Sequence, residues 1–395
     1  MKKMRFFPAV MLAPLMLGSA AFGQHYNQVN LVSSAGTDAD KDLINPWGMA
    51  RSATGPWWIA DAGTGLSTLY TGNGTESTVV VVKVPGAKAG SKGAPTGILF
   101  NGSTKAFLLG PATPALFLFS TIQGTISGWN PNAGLPAGAN PPAKNAIIVA
   151  AGKKGSVYTG LTSAIVDGKT YLYAANAGLG TVDVFNSAFK PFEFSTGEYE
   201  PAPFTDDLLP PNDVPYNVQA IGQSIVVTYA YVPPGASFPA AGMGLGYVDV
   251  YWPDGVLKMR LERGDWFNEP WGVALAPTDF GRFSHALLIG NFSNGEGDAS
   301  TFSGAVAAFD PMTGKYLGNL LDPKGKVLSI QGLWAISPGN SSPNNLDTGA
   351  IPGSNPQTNY GPAELYFTAG PKGGTQGLFG FLTAVSSEMV AGNDQ

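Results

Sequence analysis

An all-β chain folded as a single six-bladed β-propeller is what this sequence predicts, and three observations carry the prediction. The stretch Ile44-Asn45-Pro46-Trp47-Gly48-Met49-Ala50 recurs far downstream as Asn268-Glu269-Pro270-Trp271-Gly272-Val273-Ala274. Six segments, spaced roughly 50 to 65 residues apart, share one plan of entry turn, buried strand, alternating strand and polar outer strand, the signature of a solenoid or propeller. The last segment lacks an outer strand of its own, while residues 27–33 before the first segment form an alternating strand without a partner.

Composition agrees. The 395 residues are 44% hydrophobic and 12% charged, with 53 Gly and 32 Pro, which describes many short strands and turns rather than long helices. A net charge of −5, with no clusters of Lys or Arg, excludes a phosphate-binding surface, so nucleic acid is not an expected partner. There is no cysteine, and so no disulfide, thiolate metal site or Cys nucleophile.

Taken in order, the chain begins with a secretory leader over residues 1–23: Lys2, Lys3 and Arg5, an apolar run over 6–17, then Ala21-Phe22-Gly23 before Gln24. The apolar run is short for a membrane span, so no span remains after cleavage, and the location expected is secreted or periplasmic. The propeller occupies 24–385 and a polar tail 386–395. Entry turns lie at Pro46-Trp47-Gly48, Pro95-Thr96-Gly97, Gly160-Leu161, Pro215-Tyr216-Asn217, Pro270-Trp271-Gly272 and Gly332-Leu333-Trp334. Second strands over 57–61, 115–119, 171–176, 225–229, 286–291 and 365–368 are continuous apolar runs, as strands buried on both faces are. Third strands alternate, as in 181–186, 247–251 and 304–310, and close on turns such as Trp252-Pro253-Asp254-Gly255. Outer strands over 78–84 and 256–262 are more polar, because one edge faces water. Pairing the 27–33 strand with the last blade closes the ring and protects two sheet edges at once.

The motif order Asn45-Pro46-Trp47-Gly48, Pro95-Thr96-Gly97-Ile98, Gly124-Thr125-Ile126-Ser127-Gly128-Trp129-Asn130, Val227-Thr228-Tyr229-Ala230, Pro270-Trp271-Gly272, Gly290-Asn291-Phe292, Gly332-Leu333-Trp334-Ala335 and Gly377-Leu378-Phe379-Gly380 resembles a family of secreted bacterial β-propellers. Some members of that family carry a PEP-CTERM sorting tail, which this chain lacks. The resemblance covers nearly the whole mature chain. It implies a propeller related to NHL-repeat and gluconolactonase-like folds, and no established activity.

Chemistry-bearing residues are sparse. Two histidines, His25 and His285, leave little material for a catalytic triad; cleavage after Gln24 would expose His25 as a copper-brace ligand, but Phe22 and Gln24 fit the small-residue rule poorly. The second strands of alternate blades end in Asp61, Asn176 and Asn291, with Tyr229 between and Gln123 nearby. Strand ends converge on the axis of a propeller, where Asn45 and Glu269 join them from the entry turns. Asp61, Asn176, Asn291 and Glu269 make a hard-oxygen set suited to Ca²⁺, and the gluconolactonase-like resemblance implies a metal at the comparable place. The same residue types also cap turns by bonding their own backbone. Asn45, Gln123, Tyr229 and Trp266 are the candidate ligand contacts. Asn294, Glu296 and Asp298 alternate like the start of a calcium loop, without the Gly and distal Glu that complete one. Most of the eight tryptophans recur at equivalent repeat positions and read as core, with Trp266 the best exposed candidate for stacking on a sugar. Arg263-Gly264-Asp265 spells an adhesion tripeptide of the kind that arises by chance.

Long loops at 232–243 and 292–303 fall on one face of adjacent blades and could wall a groove, while 131–144 and 340–362 fall on the other face. These features make the expected function that of an exported, non-catalytic propeller binding an envelope or extracellular ligand, carbohydrate or protein. The alternative is a Ca²⁺-dependent lactonase- or esterase-like hydrolase with the metal at the central channel and Asp61 or Glu269 as general base.

Overall fold

A computed structural model describes residues 24–77, 80–195, 201–292, 299–339 and 363–386. The leader at 1–23, the loop at 340–362, Asn294, Glu296, Asp298 and nearly all of the tail lie outside the described residues. Six four-stranded antiparallel sheets follow one another along the chain. Blade 1 is built from Pro46–Ala50, Trp57–Asp61, Leu66–Tyr70 and Val82–Lys83. Blade 2 uses Pro95–Phe100, Phe117–Thr121, Thr125–Trp129 and Ile147–Ala151, with a small added hairpin at Leu108–Gly110 and Thr113–Pro114. Blade 3 comprises Tyr158–Val166, Lys169–Asn176, Thr181–Asn186 and Pro191–Phe192. Blade 4 has Asp213–Ile221, Ser224–Tyr231, Tyr247–Tyr251 and Leu257–Arg260; blade 5 has Pro270–Leu275, Leu287–Asn291, Val306–Phe309 and Tyr316–Asn319.

Blade 6 takes three strands from the end of the chain, Leu333–Pro338, Leu365–Ala369 and Leu378–Ala384, and its outer strand, Tyr26–Ser33, from the beginning. The register runs from Tyr26 opposite Ala384 to Ser33 opposite Leu378. The expected closure is therefore present. Tyr26 anchors it: the side chain is fully buried, its ring lies 4.7 Å from that of Phe280, and its hydroxyl donates to the Phe280 carbonyl at 3.0 Å.

Five apolar clusters sit between successive blades, and a sixth joins blades 6 and 1 and extends across the axis. Burial of both faces explains why the second strands read as unbroken apolar runs.

Each innermost strand slips register at the same place. The shifts fall between Pro46 and Met49, Pro95 and Ile98, Tyr158 and Gly160, Pro215 and Asn217, Pro270 and Gly272, and Leu333 and Ile336. A bulge leaves one residue unpaired and re-aims its side chain. The residues so placed are Trp47, Thr96, Thr159, Tyr216, Trp271 and Trp334, all buried. Just after each bulge the inner strands crowd their neighbours: a Cβ on Gly48 would lie 2.6 Å from the Thr96 carbonyl oxygen, and one on Gly272 would lie 2.7 Å from that of Trp334.

Candidate functional site

Four of the six bulge residues are aromatic, and they meet across the axis. Trp47 stacks on Trp334 with ring centroids 3.5 Å apart and meets Trp271 and Tyr216 edge-on at 6.1 and 6.3 Å. Trp334 also contacts Trp271 at 5.7 Å and Tyr216 at 6.1 Å, and Phe292, half-buried, stacks on it at 3.8 Å. Six of the eight tryptophans, Trp47, Trp57, Trp58, Trp129, Trp271 and Trp334, are buried as core, and three of them plug the central channel. Trp266 lies flat on Tyr316, centroids 4.0 Å apart, and its indole nitrogen donates to the Glu262 carbonyl at 3.1 Å. Trp252 is the most exposed tryptophan, with the Lys258 ammonium 4.4 Å from its ring centroid.

Two of the eight candidate residues stand at this aromatic plug. Asn45 accepts a hydrogen bond on Oδ1 from Trp334 Nε1 at 3.0 Å. Glu269, the matching residue before the second Pro-Trp-Gly, shares its left-handed backbone, φ 51° against 48°. The Glu269 carboxyl is buried, Oε2 has no hydrogen-bond partner, and burial pushes its pKa up to about 8. Its charge is felt by Tyr216, a buried phenol whose pKa burial drives well above the usual value. Trp47 Nε1 is likewise buried without a partner.

The others are engaged elsewhere. Asp61 Oδ2 accepts from the Thr68 backbone at 3.1 Å and the Thr68 hydroxyl at 2.9 Å. Its Oδ1 is buried without a partner, and desolvation, only partly offset by Thr68, holds its pKa well above the usual carboxylate range. Asn176 uses both ends of its amide: Oδ1 accepts from the Val157 and Leu179 backbone, and Nδ2 donates to Ser156 Oγ and Asp183 Oδ2, both at 2.9 Å. Asn291 accepts from the Asn268 backbone at 3.1 Å and donates to the Trp266 carbonyl at 2.8 Å. These three side chains tie their strand ends to neighbouring backbone: Asp61 to the adjacent strand, Asn291 to the segment before the inner strand, and Asn176 to both that segment and its own turn. No hydrogen bond or ring contact joins Asp61, Asn176, Asn291 and Glu269 to one another, and among the described residues no group of three or more His, Asp or Glu converges in a metal-binding arrangement. Gln123 is exposed and accepts from the Ala94 backbone at 2.9 Å. Tyr229 belongs to the core between blades 3 and 4, where its hydroxyl pairs with that of Tyr251 at 2.7 Å, and Tyr251 in turn donates to Asp249 Oδ2.

His25 bridges Leu321, and its carbonyl accepts from the Val385 backbone at 2.9 Å; His285 occupies a left-handed turn before a buried strand. The Arg263 guanidinium lies over the Tyr247 ring and 3.8 Å from Asp206.

Sequence reasoning missed Asn268. This buried side chain accepts from the Gly242 backbone at 2.9 Å and donates to the Thr301 carbonyl at 2.9 Å, tying the 232–243 loop to the far end of the blade 5 loop. Its place beside Glu269 in the repeated motif was the available signal. Phe238 and Met243, in or at the edge of the first loop, are exposed. Among the described residues no helix is long and apolar enough to cross a membrane.

Comparison with known proteins gives relatives without a known activity. The chain is 28% identical over 308 residues to an uncharacterized protein of Acanthamoeba polyphaga mimivirus, covering 76% of this chain and 69% of the relative. A second uncharacterized mimivirus protein is 27% identical over 87% of this chain and 81% of its own length. A third is 30% identical over 56% of this chain, which spans 37% of that relative. None of these three is bacterial or bears on a sorting tail. No family model matches the chain. Among solved structures, virginiamycin B lyase from Staphylococcus aureus is similar over 92% of this chain and all of its own, at 10% identity and a TM-score of 0.43. The WD40 β-propeller domain of Doa1 is similar over 92% of this chain and 99% of its own, at 10% identity and a TM-score of 0.43.

Proposed function

We propose that the protein is an exported, non-catalytic propeller that binds an envelope or extracellular ligand at the face bearing its entry turns. The observation that supports this reading best is the aromatic closure of the axis: where a hydrolase of this architecture needs an open, polar mouth, Trp47, Tyr216, Trp271 and Trp334 touch one another. The strand-end amides are spent on hydrogen bonds within the protein, and Asn268 ties Gly242 to Thr301, at the ends of two loops read on that face. Export follows from the leader read at residues 1–23.

The calcium-dependent lactonase-like reading is favoured by one specific feature, the two partnerless buried oxygens, Asp61 Oδ1 and Glu269 Oε2. Against it stands the engagement of the other two residues of the set: Asn176 and Asn291 spend their amides on hydrogen bonds within the protein, and no hydrogen bond joins Asp61 to Glu269. A calcium titration of EDTA-treated protein separates the two. A ligand that binds only the folded state raises its stability by RT ln(1 + [L]/Kd). Binding without calcium predicts an unchanged melting temperature, no turnover in a lactone and ester screen, and in Asp61→Ala a loss of about 1–3 kcal/mol from the missing hydrogen bonds to Thr68. A calcium-dependent rise in the parent that Asp61→Ala abolishes would replace the binding reading with the hydrolase.

A further inference from the structure

At the centre of the entry-turn face, two buried polar groups have no protein hydrogen-bond partner. The Glu269 carboxyl supplies an acceptor and the Trp47 indole N–H a donor; Glu269 is 2% exposed and Trp47 7%, with the 4% exposed Tyr216 ring packed beside them. Tyr216 links the other two, because its ring contacts that of Trp47 at 6.3 Å and its hydroxyl feels the Glu269 charge. Buried polar groups without partners cost free energy that a packed core normally avoids, and they are tolerated where something else completes them. Elsewhere in this ring the bulge residues are satisfied: Thr96 Oγ1 donates to the Tyr158 carbonyl at 2.8 Å, Trp271 Nε1 to the Thr159 carbonyl at 3.0 Å and Trp334 Nε1 to Asn45. Trp47 alone of the three axial indoles is left open.

The surrounding groups are aromatic: Trp334 lies between Trp47 and Phe292, Trp271 meets both indoles edge-on, and the Phe292 backbone N–H donates to the Glu269 carbonyl at 2.9 Å. Aromatic faces attract cations through the ring quadrupole, and a desolvated carboxylate beside them adds a full charge. We propose that this end of the axis binds an ammonium head group, held by Glu269 beside the aromatic rings, with a neighbouring oxygen of the ligand accepting from Trp47 Nε1, the pattern of an amino alcohol. The proposal rests on the reading of the entry-turn face as a binding face. It uses Glu269 as a counter-ion rather than as a metal ligand or base. The one titratable group found to act on Tyr216 is Glu269, and burial alone raises Glu269; the other named neighbours, Trp47, Trp271, Trp334, Phe292 and the amide of Asn45, are uncharged.

Choline chloride is the probe, because its charge does not titrate and the site contains indoles that report its arrival. Saturable quenching of tryptophan emission is expected, with a calorimetric isotherm to match. The neutral isostere 3,3-dimethylbutan-1-ol and sodium chloride at equal ionic strength should give no saturable change. Affinity should rise between pH 6 and 9 as Glu269 ionises about its pKa near 8, since a permanent cation binds only the carboxylate. Glu269→Gln should weaken binding by at least about tenfold and flatten that pH profile while still folding. Trp47→Phe, which keeps a ring and removes the N–H, should weaken it severalfold. Sedimentation with phosphatidylcholine vesicles beside free choline tells a lipid head group from a free amine, and either result supports the site. Equal binding of the neutral isostere, an unchanged affinity in Glu269→Gln, or no saturable response to choline in protein with a parental melting curve would each overturn the proposal. None of these outcomes touches the calcium test above, so the binding reading stands or falls separately.

Discussion

Glu269 concentrates the chemistry of this chain in one buried carboxyl. Its ordinary pKa of 4.5 is lifted to about 8 by desolvation, so the folded protein holds a proton there that the unfolded chain releases. For an acid raised in this way, the stabilisation is fully present below pH 4.5 and is lost as pH rises through 8. Glu269→Gln keeps the shape and cannot ionise. Its melting temperature should therefore match the parent near pH 4 and exceed it by a margin that grows between pH 5 and 8. A margin that stays constant across that range would mean that the carboxyl is charged in the fold. Asp249, raised to about 7 mainly by burial, titrates in both proteins and cancels in the difference. Sequence alone reached Glu269 and Asn45, because both precede the repeated Pro-Trp-Gly. It also placed Asp61, Asn176 and Asn291 correctly at strand ends. What it could not supply was the direction of a side chain there: a strand buried on both faces has no alternation from which to read one. Hence Tyr229, on the same kind of strand end, belongs to an inter-blade core instead of the mouth.

Strands depart from the sequence reading mostly at their ends. The blade 1 outer strand, expected over 78–84, is formed at Val82–Lys83 with Pro85 just beyond, and the blade 2 second strand is Phe117–Thr121, two residues later than read. The bulges left no signal in hydrophobic pattern, because the residue each one re-aims, Trp, Tyr or Thr, is also a good strand former. The closing strand was legible, since an alternating segment and a blade one strand short pointed to each other. Tyr26→Ala should test its worth. The substitution removes a fully buried ring packed on Phe280 and Phe283 and a hydroxyl bond, and should cost about 3–5 kcal/mol in a melt. Deleting 24–34 should go further, exposing the Leu378–Ala384 edge to aggregation. A parental melting curve for the deletion would mean that the ring closes without this strand.

Across the whole molecule the six blades alternate as three pairs. In blades 2, 4 and 6 a hydroxyl of the second strand, Ser120, Thr228 or Thr368, accepts from the bulge-flanking N–H of Gly97, Asn217 or Ala335 at 3.0–3.1 Å. Blades 1, 3 and 5 have Ala60, Ala175 and Gly290 there, followed by Asp61, Asn176 and Asn291. Junctions alternate in step. Thr96, Asn217 and Thr368 donate side-chain bonds to the carbonyls of Tyr158, Trp271 and Trp47 in the next blade, whereas Gly48, Gly160 and Gly272 let backbones approach at the junctions between. Gly48→Val and Gly272→Val should each destabilise by more than the roughly 1 kcal/mol typical of point changes, because neither neighbouring carbonyl can move without shifting an inner strand. Near-parental melting of both variants would show that the ring of inner strands is less tightly drawn than the contacts indicate.

The shared sixth blade also sets a clock. Ser34 and Gly377, bonded to each other where the two chain ends meet, are 343 residues apart. At about 5–20 residues per second of synthesis, the first strand made waits roughly 20–70 s for its partner. During that interval five blades can assemble while the segment that completes the sixth dangles with its backbone groups unpaired. Its exposed Asn27, Gln28 and Asn30 set polar side chains along that free edge, a pattern that disfavours pairing with another chain.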